Sequence, residues 1–296
     1  MLKNIVRALR LPFITASILP FIFGSLIERA DFNYLGFFLG LLAAISVHVS
    51  ANLINDYADS QSGADAQDKR FFGFFGGSKL IQENVFSARA YLLASVFFAL
   101  LATASVVALA AVLENILVIV YFIAIVILSW QYSAKPCQFS YRRMGELILF
   151  LLFGPAPVMG GYFIQTGVFP DLKSFILSIP FGLLTTAILF ANEVPDYPED
   201  NKVKKMTWVS ITGADKAYLL YFLIIISAFA AIIAGIWLGY LGKITLISFI
   251  LIIMAIKAAG ILKKHYNDKT LLMRSSAATI NLQALVGIIL IIGLFI

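Results

Sequence analysis

The stretch "ANLINDYADSQSGAD", residues 51–65, closes one of the most apolar runs in the chain. Within it Asn52, Asp56 and Asp59 stand at i, i+4 and i+7, which is one stripe of a helix. His48 lies one turn earlier on the same stripe. An apolar helix that ends in a column of carboxylates reads as a membrane helix whose end carries polar ligands into a cavity at the interface.

Composition sets the same frame. Of 296 residues, 61% are hydrophobic and only 13% charged, against about 25% charged in soluble domains. Mean hydropathy is +0.93. Runs near 20 apolar residues, the length that crosses a bilayer, recur throughout. The pattern predicts an all-α membrane protein with about nine transmembrane helices around a central cavity. They run roughly 11–29, 33–56, 86–112, 114–131, 144–165, 172–192, 215–241, 243–262 and 276–296. Pro20 is expected to kink the first, and the tightest hairpins fall near Glu114 and Gly242. The first apolar run, from Leu11, reads as a span rather than a cleaved signal. The single cysteine, Cys137, excludes an internal disulfide.

Charge fixes the orientation. Of the 22 lysines and arginines, 19 fall on the side that holds the N-terminus and the loops after helices 2, 4, 6 and 8; only Arg29, Lys173 and Lys243 fall on the other. The positive-inside rule puts the first side in the cytoplasm, in a multi-pass protein of the cytoplasmic membrane. Nucleic acid is not an expected partner; the lipid bilayer is.

The loop after helix 6, "NEVPDYPEDNKVKKMT", repeats the opening spacing: Asn192 and Asp196 match Asn52 and Asp56, and Asp200 follows one turn on. The two pairs lie 140 residues apart with four helices between them, so both face the same way. The expectation is a single domain, 1–296, of two pseudo-repeated halves, roughly 1–140 and 141–296, with a site between them. Pro195 and Pro198 are expected to break or kink the helix there.

Carboxylates and amide oxygens are hard ligands suited to Mg²⁺, which is usually held by one or two carboxylates plus substrate phosphates. Asp56, Asp59, Asp196 and Asp200, with Asn52 and Asn192 as neutral partners, are the candidate catalytic and metal-ligating residues. Lys69, Arg70, Lys79, Arg142, Arg143, Lys204 and Lys205 flank them and would offset the remaining charge of a bound diphosphate. Other residues keep two readings each. His48 orients Asn52 or simply packs. Phe71, Phe72, Phe74 and Phe75 line an entry for an apolar chain or lie on the bilayer surface. Glu146 is functional, or a cap or ion-pair partner.

These two clusters resemble the Asp-rich motifs of the UbiA superfamily of intramembrane prenyltransferases. The first motif, N-D-x-x-D, is met as Asn55-Asp56-Tyr57-Ala58-Asp59. The second, D-x-x-x-D followed by G-K-x-T, is met as Asp196 and Asp200 and then Lys204-Lys205-Met206-Thr207. Within the superfamily the chain is most similar to 1,4-dihydroxy-2-naphthoate polyprenyltransferases, through Gly63-Ala64-Asp65 and "YSAKPCQFSYRRMGELILFLLFGPAPVMGGYFIQTG", Tyr132 to Gly167. The resemblance implies Mg²⁺-dependent transfer of a polyprenyl group from polyprenyl diphosphate to an aromatic acceptor, in menaquinone biosynthesis. It adds Asn55, Asp65 and Tyr132 to the substrate-binding set. The chain departs from the pattern at Lys204, where the motif has glycine, at Met206 and Ile211, where arginines are common, and at "FFGGSKLIQ", which replaces R-x-G-P. The alternatives are the same chemistry on 4-hydroxybenzoate, a chlorin or a glycerol-phosphate lipid, a cation or phosphate transporter, and a non-catalytic scaffold. A transporter fits less well, because the charges lie at one face rather than at the midplane.

Overall fold

The computed structural model describes residues 2–63 and 70–296. Among these the chain is helical, with no β-strand and an isolated bridge between Arg142 and Met206. The α-helices are α1 (Leu2–Ala8), α2 (Thr15–Leu26), α3 (Tyr34–Ser62), α4 (Ala88–Leu113), α5 (Leu117–Gln131), α6 (Gly145–Phe153), α7 (Pro155–Thr166), α8 (Leu172–Lys202), α9 (Val209–Thr212), α10 (Ala217–Trp237), α11 (Ile252–His265) and α12 (Lys269–Ile292). A 3₁₀ segment, Lys243–Leu251, leads into α11.

Among the described residues, seven apolar helical units are long enough to cross a membrane, and the pair formed by α1 and the Leu11–Leu26 run, bent by 49°, makes up to eight. The chain is an integral, multi-pass membrane protein. The expected count of nine is not reached by length. The fourth predicted span is α5, whose 15 residues extend about 22 Å against a core of about 30 Å. The fifth is divided at Gly154 into α6 and α7, with Pro155 opening the second piece. The sharp bend in the first span falls before Pro20, which sits inside α2.

Helix ends follow ordinary capping rules. Asn33, Ser87, Asp171 and Asp268 each accept a backbone N–H in the first turn of the helix they precede. Between spans, close approach replaces hydrophobic drive, because lipid is as apolar as the side chains. A Cβ on Gly24 would stand 2.0 Å from the Val158 carbonyl oxygen, and one on Gly161 would stand 2.6 Å from that of Phe21. Alanine at either position would therefore force α2 and α7 apart. The largest apolar core joins α8, α10, α11 and α12 around Phe181, Phe190, Tyr221 and Leu282. A second, around Phe21, Val106, Leu109 and Phe163, joins α2, α3, α4, α5 and α7.

Two helices carry the polar motifs, and both run further than the hydropathy suggests. α3 continues to Ser62 and α8 to Lys202. The acidic clusters are thus helix ends, not loops. α8 is also continuous through Pro195 and Pro198, so the break expected there is absent. Both prolines fall in the last two or three turns of the helix, where each removes one backbone donor without ending it.

Candidate active site

A cavity of about 200 Å³ opens between the ends of α3 and α8. Helical continuity decides what lines it. On α3 the lining residues are His48, Ala51, Asn52, Asn55 and Asp59; on α8 they are Asn192, Glu193, Asp196, Glu199 and Asp200. Each set follows the three- and four-residue spacing of one helical face. Arg10, Arg70, Lys79, Tyr132, Lys205 and Lys269 complete the polar wall, and Phe72, Phe74 and Phe75 roof it.

The carboxylates are held individually. Asp196 Oδ2 accepts the Gly76 N–H at 2.9 Å. Asp200 Oδ1 lies 3.3 Å from Lys205 Nζ. Asp59 Oδ1 accepts the Tyr141 hydroxyl at 3.1 Å, and that hydroxyl also meets Ser62 Oγ at 2.8 Å. Glu199 pairs with Lys269 at 3.0 Å. Asp56 is placed differently. It does not line the cavity; it pairs with Arg10 and accepts the Ser78 N–H at 3.2 Å. Arg10 in turn reaches Asn55 Oδ1 at 3.2 Å, and Asn55 Nδ2 donates to Ser133 Oγ at 2.7 Å.

Local backbone explains how Lys205 arrives. Lys204 has φ 57°, a left-handed conformation that reverses the chain after α8. Lys205 N–H then returns to the Asp200 carbonyl at 2.9 Å. Glycine, which the resembled motif has at position 204, adopts this conformation without strain. The following strand-like residues tie the two halves of the site together: Arg143 N–H donates to the Met206 carbonyl at 2.7 Å, and Met206 N–H to that of Tyr141 at 3.2 Å. Burial alone would disfavour a charged Lys205, but Asp200 and Asp59 beside it outweigh that cost and hold its pKa well above the ordinary value. Burial pushes the Tyr141 hydroxyl upward, and the Asp59 carboxylate adds to it.

Of the residues singled out from sequence, the cavity brings together Asn52, Asn55, Asp59, Arg70, Lys79, Tyr132, Asn192, Asp196, Asp200 and Lys205. Arg142, Arg143 and Lys204 are exposed and do not line it. Arg142 bonds the Pro136 carbonyl at 3.1 Å. Asp65 and Lys69 lie outside the described residues. Phe71 is also outside the lining, under the Arg7 guanidinium at 3.8 Å. Glu146 is buried but serves as an anchor, accepting the Trp208 N–H. Sequence reasoning missed Arg10, Glu193, Glu199 and Lys269. The two glutamates share the α8 stripe with Asn192 and Asp196, so helical spacing could have found them. Arg10 and Lys269 come from other elements, and no local spacing points to them.

The donor set fits a hard divalent ion. It is all oxygen, and Asn192 Oδ1 is buried without a hydrogen-bond partner. Among the described residues no three acidic, histidine or cysteine side chains converge to form a closed metal site. An ion here would be held by one or two of these carboxylates, with water and other oxygens completing its shell.

A second cavity, about 120 Å³ and almost wholly apolar, is lined by α2, α3, α4, α5, α6 and α7. It shares His48, Ala51, Ser129, Leu152 and Phe153 with the first. A charged chamber and an apolar one thus share a wall.

The sequence matches the UbiA prenyltransferase family over residues 17–282, and the chain belongs to that family. It is 28% identical over 224 residues to UbiA prenyltransferase domain-containing protein 1 of Dictyostelium discoideum, covering 74% of this chain and 67% of that protein. It is 27% identical over 187 residues to 1,4-dihydroxy-2-naphthoate octaprenyltransferase of Mycobacterium tuberculosis, covering 62% and 60%. The matches thus span 60–67% of these relatives' length. In fold, the chain is similar to a UbiA homologue from Aeropyrum pernix K1, with TM-score 0.72 and 17% identity over 95% of this chain and 96% of that one. It is also similar to a UbiA homologue from Archaeoglobus fulgidus bound to DMAPP and Mg²⁺, with TM-score 0.68 and 17% identity over 97% and 98%.

Proposed function

We propose that this chain transfers a polyprenyl group from polyprenyl diphosphate to 1,4-dihydroxy-2-naphthoate, with Mg²⁺, at the cytoplasmic face of the cell membrane. The observation that carries the reading is the pairing of chambers. A prenyl diphosphate is an anionic head on an apolar tail, and the two cavities offer an acidic, lysine-lined space and an apolar one with a shared wall.

Lys205, Arg10, Arg70 and Lys79 bind and orient the diphosphate. Asp59, Asp196 and Asp200, with Asn52 and Asn192, would hold Mg²⁺, whose chemistry is to stabilise the departing diphosphate. Asp56 acts through Arg10. The apolar annex holds the tail, and Phe72, Phe74 and Phe75 exclude water that would capture an allylic cation. The acceptor's electron-rich carbon attacks from beside the shared wall. The Archaeoglobus fulgidus homologue, described as bound to DMAPP and Mg²⁺, supports the donor and the ion. The naphthoate octaprenyltransferases among the relatives support the acceptor.

The test is an acceptor panel with the purified protein, a prenyl diphosphate and product mass spectrometry. Dihydroxynaphthoate should be prenylated at least about tenfold better than 4-hydroxybenzoate, a gap of roughly 1.4 kcal/mol in barrier. The reverse order would remove the naphthoate assignment.

A further inference from the structure

His48 belongs to both chambers. It is 5% exposed, and the edge-to-face contact with Phe153, at 5.2 Å between centroids, fixes its ring. Its Nδ1 meets the hydroxyl of Ser17, on α2. Nε2 has no protein partner among the described residues, yet it is not sealed off, because the ring lines open space on both sides. A ring nitrogen that borders a cavity and has no protein partner offers its lone pair or its N–H to whatever fills that space.

The other residues of the shared wall cannot play that part. Ala51, Leu152 and Phe153 are apolar, and Ser129 spends its hydroxyl on the Ile125 carbonyl at 2.7 Å. Ser129 keeps acceptor lone pairs, but its oxygen is held back against its own helix by that bond, so His48 is the wall residue that presents a ring nitrogen acceptor to the cavities. On the reading above, the diphosphate sits on one side of this wall and the tail on the other. The carbon that joins them must lie at the wall, and so must the ring that attacks it.

We propose that His48 is the acceptor-binding residue, its Nε2 accepting the hydroxyl hydrogen of the aromatic ring while Nδ1–H donates to Ser17. As the allylic carbon–oxygen bond to diphosphate breaks, the ring carbon forms the new carbon–carbon bond and later sheds its proton, or its carboxyl group as carbon dioxide, to restore the aromatic ring; the attack draws electron density from that hydroxyl oxygen and makes its proton more acidic. The hydrogen bond to Nε2 therefore strengthens as the carbon–carbon bond forms, so it favours the transition state over the ground state. Ser17 holds the tautomer and the ring angle, as second partners of functional histidines do. The assignment rests on the head-and-tail reading of the two chambers, and it makes a demand the donor residues do not. His48 should matter for transfer and not for departure of the diphosphate.

The experiment compares His48→Asn and His48→Gln with the unaltered full-length protein in detergent or nanodiscs, with Mg²⁺ and farnesyl diphosphate. Three quantities are read: donor binding, diphosphate release without acceptor, and transfer to dihydroxynaphthoate with kcat and acceptor KM separated. Asparagine can replace only the Nδ1 contact, whereas glutamine extends an amide oxygen towards the Nε2 position. His48→Asn should lower kcat/KM for the acceptor by a factor on the order of 10 to 100, while donor binding and acceptor-free release stay within about twofold. His48→Gln should recover part of the loss. Donor binding also reports that each variant is folded. Unchanged transfer in His48→Asn, an equal fall in diphosphate release, or no gain from glutamine would each overturn the assignment. An unaltered protein that transfers to no aromatic acceptor would remove the reading beneath it as well.

Discussion

At the end of α3, Asp56 does not line the chamber and spends its carboxylate on Arg10 and the Ser78 N–H. At the end of α8, the residue at the matching position, Asp196, stays inside it with Asp200 and Glu199. The two ends share the Asn-x3-Asp spacing, but their surroundings differ. The first is met by the α1–α2 connection, which supplies Arg10. The second is met by the chain reversing at Lys204, which supplies Lys205, and by α12, which supplies Lys269. In the α3 copy the matched aspartate pairs with an arginine and Asp59 is left to line the chamber; in the α8 copy the matched aspartate lines it directly.

The comparison is broken most easily at α8. Asp196→Asn or Asp200→Asn should each lower kcat for prenyl transfer by a factor on the order of 10²–10³, the loss expected for one preorganised electrostatic group. Folding should be little affected, because both side chains face the chamber rather than a packed core. Steady-state kinetics with donor saturation checks this; equal losses in KM alone would mean ground-state binding only.

Asp56→Asn sharpens it. If the residue acts through Arg10, the loss should be about tenfold, in the range of a single charged hydrogen bond. Arg10→Met should cost no less, and the double variant should be far from additive because the pair acts as one unit. A loss at Asp56 as large as at Asp196 would mean that the two ends are equivalent after all.

Much of this was legible in the sequence. Hydropathy located most of the spans because each needs a near-continuous apolar run, and the charge asymmetry is the argument for their direction. The stripe on α3 was readable because Asn52 and Asp59 fall at helical spacing. Three things were not. Hydropathy falls where polar residues begin, so it stopped α3 and α8 short by a turn or more, although both helices continue. Pro195 and Pro198 signalled a break that the continuous helix does not show. Arg10 and Lys269 reach the chamber from elements far away in sequence, a matter of tertiary packing that no window can detect. Conversely, Arg142, Arg143 and Lys204 looked equivalent to Lys205 by proximity, but the reversal at Lys204 turns only Lys205 inward.

That last distinction gives the smallest expected effects. Arg142→Ala and Lys204→Gly should each leave kcat/KM within about twofold, as surface changes usually do. Lys204→Gly should also raise stability slightly, by about 1 kcal/mol, since it relieves a left-handed residue; thermal unfolding in detergent measures it.

The central claim is that the acidic chamber and its apolar annex together take a prenyl diphosphate with a divalent ion. The most direct measurement is transfer from radiolabelled prenyl diphosphate to dihydroxynaphthoate by the purified protein, across a Mg²⁺ titration and after EDTA. The account predicts a prenylated naphthalene product that disappears with EDTA, returns with Mg²⁺ and is nearly lost in Asp196→Asn. Transfer that persists after complete Mg²⁺ removal, or that is unaltered in Asp196→Asn, would contradict it.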